Sequence, residues 1–230
     1  LLDAQMNLIG LINDILDLSK LQSGKFSLDK HKFNPDKKID VFLERFKAQL
    51  DANNVNMNVD LDKSLNITLN GDWLRISQII TNLISNAIKF TPSGKNIKVS
   101  AFYKDNKLNI IVSDEGIGLS KEAQEKIFEP FKQADNSTTR KYGGTGLGLS
   151  IVLSLVEQMN GEIKIDSTEG EGSRFEIILS IEKVDHVETQ IKKALKLSKD
   201  KLSGHILVAE DNKTNQMLIG ILLEEFGLSY

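Results

Sequence analysis

Cysteine is absent from the 230 residues of this sequence, and histidine and proline occur only three times each. Without cysteine the chain has no disulfide bond, no thiol nucleophile and no thiolate metal site, which fits a reducing cytoplasm. The histidines are His31, His186 and His205, and they lie too far apart along the chain to suggest a metal cluster.

Long apolar runs and a strong charge of one sign are also absent. No run approaches the roughly 20 residues of a membrane-spanning helix, and no segment resembles a signal peptide. The formal net charge of -3 provides no field for a phosphodiester backbone, so we expect no nucleic-acid partner. The remaining composition, 40% hydrophobic and 27% charged, is typical of a globular protein with one or two domains.

Residues 1–24 begin with an amphipathic helix, predicted over residues 1–20. Its broad apolar face consists of two stripes at helical spacing: Leu8, Leu11, Ile15 and Leu18, beside Ile9, Ile12 and Leu16. Such a helix either packs on the core of its own domain or associates with other helices in a bundle. The pattern itself leaves both arrangements open.

Residues 25–182 predict an α+β domain, a two-layer sandwich of helices on a largely antiparallel sheet. Periodicity predicts helices at 41–50, 72–89 and 147–159, and strands at 55–59, 97–103, 108–113, 162–166 and 174–181. Asp72 is the candidate N-cap of the second of these helices. Asp105-Asn106 is the candidate turn of a hairpin.

The C-terminal residues divide into a lysine-rich linker, 183–203, and a more apolar segment, 204–230. The apolar segment predicts a strand at 205–211, which ends in two carboxylates, and a helix at 217–226. One βα unit does not close a core by itself, so we interpret 204–230 as the start of a second domain.

Three segments of the middle domain carry recognisable chemistry. On the helix predicted at 72–89, Asn82 and Asn86 lie one turn apart on one face, with Lys89 on the same side. Amide oxygens suit magnesium and an ammonium group suits phosphate. Taken alone, however, such a triple is more often a solvated helix face.

The other two segments are rich in glycine. Asp114-Glu-Gly-Ile-Gly118 follows an apolar strand, where a carboxylate can accept a hydrogen bond from an exocyclic amine and glycines admit a flat ring. An ordinary turn is the alternative. The run from Gly143 to Leu149 opens a helix, so its backbone N–H groups can bind an anion, unless it is only a flexible loop. It is not a Walker loop, because no Lys-Ser/Thr pair follows the last glycine.

The order and spacing of these segments resemble the catalytic domain of sensor histidine kinases, within the gyrase-like ATPase superfamily. The matching motifs are the N box (82–92), the first glycine box (114–118), the F box (Phe128-Glu-Pro-Phe131) and the second glycine box (144–148). Residues 13–20 are similar to the end of the second helix of the dimerisation stalk, and 206–212 to the opening of a receiver domain. The whole chain thus resembles part of a hybrid sensor histidine kinase.

This resemblance implies that the chain binds ATP and Mg²⁺. Asn86 would hold the magnesium ion, assisted by Asn82, and Asp114 would bind the adenine amine. Lys89 and Arg140 would contact phosphate oxygens. The other implied ATP-site residues are Phe90, Gly116, Gly118, Lys132, Gln133, Gly144, Gly146, Leu147 and Gly148.

Two regions differ from a complete site. Lys132 and Gln133 stand where many kinases have an arginine after the F box, and residues 129–145 would form a mobile lid over ATP. In the receiver segment, Glu210 and Asp211 would form an incomplete magnesium site, because the phosphoacceptor aspartate lies beyond the chain.

The expected function is transfer of the γ-phosphate of ATP to a histidine on the stalk helix, followed by relay to a receiver domain or a response regulator. We expect a homodimer formed through the stalk, in a cytoplasmic domain of a protein anchored in the bacterial inner membrane. None of the three histidines lies in a stalk-type helix, so this fragment is not expected to phosphorylate itself. The alternatives are a nucleotide-independent scaffold and an ATP hydrolase, which needs a glutamate base where Asn82 stands.

Overall fold

The computed structural model describes residues 12, 19, 27–132, 146–184, 203–209, 216, 219–220, 223–224 and 226–229. The chain divides into two compact units, residues 1–185 and residues 186–230. Among the described residues, no helix combines the length and the apolarity that crossing a bilayer requires.

The first unit is a two-layer α+β sandwich, as the sequence predicts. Its helices are α1 (Pro35–Leu43), α2 (Lys47–Asn53), α3 (Trp73–Phe90), α4 (Lys121–Lys126) and α5 (Gly148–Gln158). Its strands are β1 (His31–Phe33), β2 (Asn56–Leu61), β3 (Leu69–Gly71), β4 (Asn96–Lys104), β5 (Lys107–Asp114), β6 (Glu162–Thr168) and β7 (Gly172–Ser180). Five strands form the main sheet, in the order β2-β4-β5-β7-β6, and β1 pairs with β3.

The main sheet is antiparallel except between β2 and β4, which run parallel. The β4–β5 hairpin turns at Asp105 and Asn106, where the sequence predicts it. Both residues have positive φ, 53° and 59°, as a type I′ turn requires, and aspartate and asparagine tolerate that conformation well. The hairpin places the end of β5 at the centre of the sheet.

Helix α3 begins at the predicted cap. The Asp72 carboxylate accepts a hydrogen bond from the Arg75 N–H at 3.1 Å, which satisfies one of the free donors of the first turn. The helix buries a continuous apolar stripe: Ile76, Ile79, Ile80, Leu83, Ile84, Ala87 and Ile88. Because this stripe faces the core, the opposite face with Asn82 and Asn86 is held at the surface of the domain.

Some elements differ from the sequence-based prediction. The helix predicted at 41–50 begins already at Pro35, with Asn34 as its cap, and a 3-10 turn at 44–46 separates α1 from α2. The prediction missed β3 and α4, because three to six residues are too few to establish a periodicity.

The two ends of the chain are described in part. Ile12 and Ser19, the described residues of 1–24, are both helical. In the second unit, the described residues of 216–224 are helical. The strand predicted at 205–211 is wrong for its described part, 205–209, where a single parallel bridge joins His205 to Ser229. A strand extends only where a neighbouring strand provides a continuous ladder of backbone hydrogen bonds.

Helix α1 offers a matched test of the core. Ile39 is fully buried, whereas Val41 on the same helix is 67% exposed. We expect Ile39→Ala to lower the free energy of unfolding by about 2–5 kcal/mol, through lost burial and the cavity left behind. We expect Val41→Ala to change it by less than about 0.5 kcal/mol. Urea titration followed by circular dichroism measures both, and equal losses would contradict the assignment of this face to the core.

Candidate functional site

Asn82 lies in the middle of α3 and faces the start of α5. Its Nδ2 donates a hydrogen bond to the Gln78 carbonyl at 3.1 Å. A Cβ added to Gly148 would lie 2.8 Å from the Asn82 Oδ1, closer than carbon and oxygen atoms approach in proteins. The N box and the second glycine box therefore meet here, and a side chain at position 148 would require the Asn82 amide to move.

The C-terminal end of α3 meets the first glycine box. The Phe90 carbonyl accepts a hydrogen bond from the Ile117 N–H at 3.2 Å. A Cβ added to Gly116 would lie 2.7 Å from the same carbonyl oxygen. One helix thus contacts both glycine segments, which are far apart in the sequence.

Asp114 ends β5 beside this contact. Its Oδ1 accepts a hydrogen bond from the Gly116 N–H at 2.9 Å. Burial raises the pKa of Asp114, while hydrogen bonds from the N–H groups of Gly116 and Ser173 act in the opposite direction. A carboxylate that has lost part of its hydration needs additional hydrogen-bond donors to stabilise its ionised form. Asp114 is therefore suited to bind a donor group of a ligand.

Ser173 is a residue of this site that the sequence interpretation missed. The register of β5 and β7 places it opposite Asp114. Gly172, before it, has a φ of 118°, and a side chain there would clash with the Asp114 carbonyl oxygen. A glycine at the start of a predicted strand was the available signal, since it marks a close backbone approach.

Two further glycines of the predicted site have positive φ. Gly118 has a φ of 64°, and a Cβ there would clash with the Thr168 carbonyl oxygen. Gly146 has a φ of 71°, and its carbonyl accepts a hydrogen bond from the Phe131 N–H at 3.1 Å. The F box and the second glycine box are therefore adjacent, and Phe131 is 64% exposed.

Lys89 lies near the C-terminal end of α3 and is half-buried. Burial lowers the pKa of its ammonium group, and its Nζ lies 4.6 Å from the centre of the Phe90 ring. It also borders a cavity of about 550 Å³ beside α2, which the other predicted site residues do not line. The remaining residues around this cavity are Gln49, Asn53, Ser85, Ile88, Thr91, Pro92 and Ser93.

The other predicted residues are placed as follows. Asn86 is half-buried on α3, between Asn82 and Lys89. Leu147 is fully buried, so its side chain belongs to the core. Lys132 lies 3.8 Å from the Glu129 carboxylate. The predictions for Gln133, Arg140, Gly144, Glu210 and Asp211 lie outside the described residues.

Carboxylate and imidazole groups do not supply a metal centre in the described part of the chain, where no cluster of three or more His, Cys, Asp or Glu residues could hold a metal ion. The amide oxygens of Asn82 and Asn86 are hard donors on one helix face. They suit a magnesium ion that keeps several waters or substrate oxygens as its remaining ligands.

Comparisons with known proteins agree with this arrangement. Residues 71–183 match the family described as histidine kinase-, DNA gyrase B-, and HSP90-like ATPase. The autoinducer 2 sensor kinase/phosphatase LuxQ of Vibrio vulnificus is 37% identical over 231 residues, which cover 97% of this chain and 27% of LuxQ. The sensor histidine kinase GacS of Pseudomonas protegens is 38% identical over 227 residues, 96% of this chain and 24% of GacS. The chain spans about a quarter of the length of these relatives.

The structure is also similar to a solved histidine kinase, AdeS of Acinetobacter baumannii. The two share 26% sequence identity with a TM-score of 0.65, over 78% of this chain and 81% of AdeS. Residues 71–183 of the chain therefore form a domain of the histidine kinase-, DNA gyrase B-, and HSP90-like ATPase family, of the kind found in sensor histidine kinases.

Proposed function

We propose that residues 25–182 are the ATP-binding catalytic core of a hybrid histidine kinase, which transfers the γ-phosphate of Mg-ATP to a histidine on the stalk helix. The observation that carries the proposal is the double contact of α3, with Gly148 through Asn82 and with Gly116 through Phe90. It surrounds one polar helix face with the backbone of both glycine segments.

The residues present fit a magnesium-bound adenine nucleotide. Asn86, assisted by Asn82, would hold the metal ion, which supplies positive charge beside the phosphate oxygens. A Cβ at Gly116 would lie 2.5 Å from the Asp114 Oδ1 and 2.7 Å from the Phe90 carbonyl oxygen, so a glycine here allows the backbone to pack closely against both groups and to hold the carboxylate in place for the base.

Each remaining group has a role in this proposal. Asp114 accepts a hydrogen bond from the adenine amine. Lys89 and Arg140 contact phosphate oxygens, as do the N–H groups of the second glycine box at the start of α5. Lys132 and Gln133 take the place of an arginine near the terminal phosphate. The 129–145 segment then closes over the nucleotide and excludes water.

The reaction needs little covalent chemistry from these residues. An imidazole nitrogen of the acceptor histidine attacks the γ-phosphorus, the bond to the β–γ bridging oxygen breaks, and ADP leaves. The domain supplies position and charge complementarity. Hydrolysis is not favoured, because an Asn82 amide cannot take a proton from water.

The acceptor histidine is proposed to lie outside this chain. His31 is an exposed residue of β1, and its Nε2 lies 3.0 Å from the Asp29 carboxylate. It therefore has no place on a stalk helix, and we propose that the fragment does not phosphorylate itself. Dimerisation through residues 1–24 would bring the acceptor histidine of the parent protein to a catalytic domain. Residues 204–230 would begin the receiver domain, in a cytoplasmic region of a membrane-anchored parent.

The role of Asp114 can be tested by calorimetry with AMPPNP and Mg²⁺. We expect the chain to bind the nucleotide only with magnesium, and Asp114→Asn to weaken binding about 10- to 100-fold, because a hydrogen bond to a charged group is worth roughly 1.5–3 kcal/mol. Asp60→Asn is the matched control, since Asp60 lies on the edge strand β2, away from the site, and its carboxylate pairs with Lys98 of β4. It should not change the affinity.

Two results of this experiment would contradict the proposed function. Absence of binding by the unmodified chain would favour a nucleotide-independent scaffold. Robust release of phosphate from ATP, measured in parallel, would favour the hydrolase.

The titration of Asp114 provides a second test. In the free chain we expect its pKa above the usual value of 3.8, because burial disfavours the ionised form. Adding Mg²⁺ and AMPPNP should lower this pKa, since donation by the adenine amine stabilises the carboxylate. By linkage, the affinity should therefore decrease as the pH falls through the pKa of Asp114 in the free chain.

Carbon-13 NMR of the labelled carboxyl groups measures both states. Glu115 is an internal control, because hydrogen bonds from the Asn96 backbone and side chain already lower the pKa of that exposed carboxylate. Its titration should be the same with and without nucleotide. An unchanged or higher Asp114 pKa in the complex would place the adenine elsewhere.

A further inference from the structure

Strand β3 leads directly into α3 and has partners along both of its edges. On one edge it pairs with β1, in the register His31–Gly71 to Phe33–Leu69. On the other edge, the Asn70 N–H donates to the Glu182 carbonyl at 3.1 Å, and the Val184 N–H donates to the Thr68 carbonyl at 2.8 Å. We call residues 29–33 the incoming segment and residues 181–184 the outgoing segment. Both hold the same short strand.

The two segments also meet through their side chains. A Cβ added to Gly71 would lie 3.3 Å from the Ile181 Cγ2 and 3.3 Å from the Phe33 Cε1. The side chains of the outgoing and incoming segments thus pack on the backbone of the last residue of β3. A displacement of either segment would therefore act on the same residue, Gly71.

The incoming segment is joined to the first turn of α3. Asp72 is only 4% exposed, and its carboxylate caps the helix through the Arg75 N–H. The second oxygen of this carboxylate accepts a hydrogen bond from the Asp29 N–H at 3.0 Å. The ring centre of Phe33 lies 5.6 Å from that of Trp73, the first residue of α3. The start of the helix is therefore bound to the segment that leads into the domain.

The outgoing segment has an additional attachment to the main sheet. The Tyr103 hydroxyl, at the end of β4, donates a hydrogen bond to the Ile181 carbonyl at 2.9 Å. Backbone hydrogen bonds on one side and this hydroxyl on the other hold the segment against β3 and β4. Its lysine-rich continuation does not alter this, since a β-ladder depends on the backbone and not on side-chain type.

Helix α3 can carry a displacement from this junction to the nucleotide site. An α-helix rises about 1.5 Å per residue, so Asn82 lies roughly 15 Å along the axis from Asp72. The helix packs as one body on the core, and its contacts with Gly148 and Gly116 are tight. A tilt or shift at Asp72 would therefore alter the spacing between α3 and the two glycine segments.

We propose that β3 is a junction at which the incoming and outgoing segments together set the position of α3, so that release of the outgoing segment weakens nucleotide binding. This inference rests on the proposed function for its readout. The coupling is reciprocal, so nucleotide binding in turn strengthens the pairing of the outgoing segment with β3. A displacement of the chain before or after the domain would thereby change the nucleotide affinity without a separate ligand.

Val184→Pro tests the junction in the full 230-residue chain, because it removes the N–H that donates to the Thr68 carbonyl. Val184→Ala is the matched control, since it shortens the side chain and keeps the donor. We expect Val184→Pro to weaken binding of AMPPNP with Mg²⁺ roughly 3- to 10-fold, in the range by which positions away from a ligand modulate coupling. Val184→Ala should bind as the unmodified chain does. Equal affinities of a folded Val184→Pro variant and its control would overturn the proposal.

Tyr103→Phe is a second variant, which loses only the hydroxyl bound to Ile181 and leaves the fold intact even if the proline variant unfolds. We expect it to weaken binding in the same direction by a smaller factor, and an unchanged affinity would count against the junction. Amide hydrogen exchange separates this proposal from the proposed function. Without nucleotide, the Ile76 N–H of the first turn of α3 should exchange faster in Val184→Pro than in Val184→Ala, whether or not the chain binds ATP. Equal exchange rates would overturn the junction alone.

Discussion

The burial of one face of α3 is the constraint on which the rest of the site depends. Seven apolar residues of this helix pack into the core, and their burial leaves the helix little freedom to rotate about its axis. Asn82 and Asn86 are therefore presented in one direction, and both ends of the polar face meet a glycine segment. The proposed site is thus built on a rigid helix, and the backbone of the two glycine segments packs against it.

The glycines of the site occupy positions where the backbone passes close to neighbouring atoms. At positions 116 and 148, a Cβ would lie within 3 Å of oxygen atoms of Asp114, Phe90 or Asn82. At position 118 the backbone has a positive φ as well. A side chain at position 116 would push the first glycine segment away from the end of α3. One at position 148 would displace the Asn82 amide, and one at position 118 would clash with the Thr168 carbonyl oxygen. In the proposed site, the partly desolvated carboxylate of Asp114 would bind a donor group and the start of α5 would bind an anion.

Sequence alone predicts the long periodic elements of this protein well. Helix α3 begins at its predicted cap, and the β4–β5 hairpin turns at the predicted residues. The short strand β3 is not predictable in this way, because its pairing is decided by the tertiary fold. For the same reason the lysine-rich composition from position 183 suggested a linker, whereas Lys183 pairs with Leu69.

The candidate site could be predicted only because the N box, the F box and the two glycine boxes occur in the same order as in sensor histidine kinases. Periodicity places Asn82 and Asn86 on one face, but no local pattern predicts the contact of Asn82 with Gly148 or the place of Ser173 beside Asp114. Those depend on helix packing and strand register. The roles of all the ATP-site residues stay predictions, and Gln133, Arg140 and Gly144 lie outside the described residues as well.

A crystal structure of the chain with AMPPNP and Mg²⁺ tests the central claim most directly, that one cleft formed by α3 and both glycine segments holds the nucleotide. The account predicts the adenine amine within hydrogen-bonding distance of the Asp114 carboxylate, the metal ion on the Asn86 amide oxygen, and the phosphates at the start of α5. A nucleotide bound instead in the cavity lined by Ser85, Thr91 and Pro92, with no contact to Asp114, would contradict it.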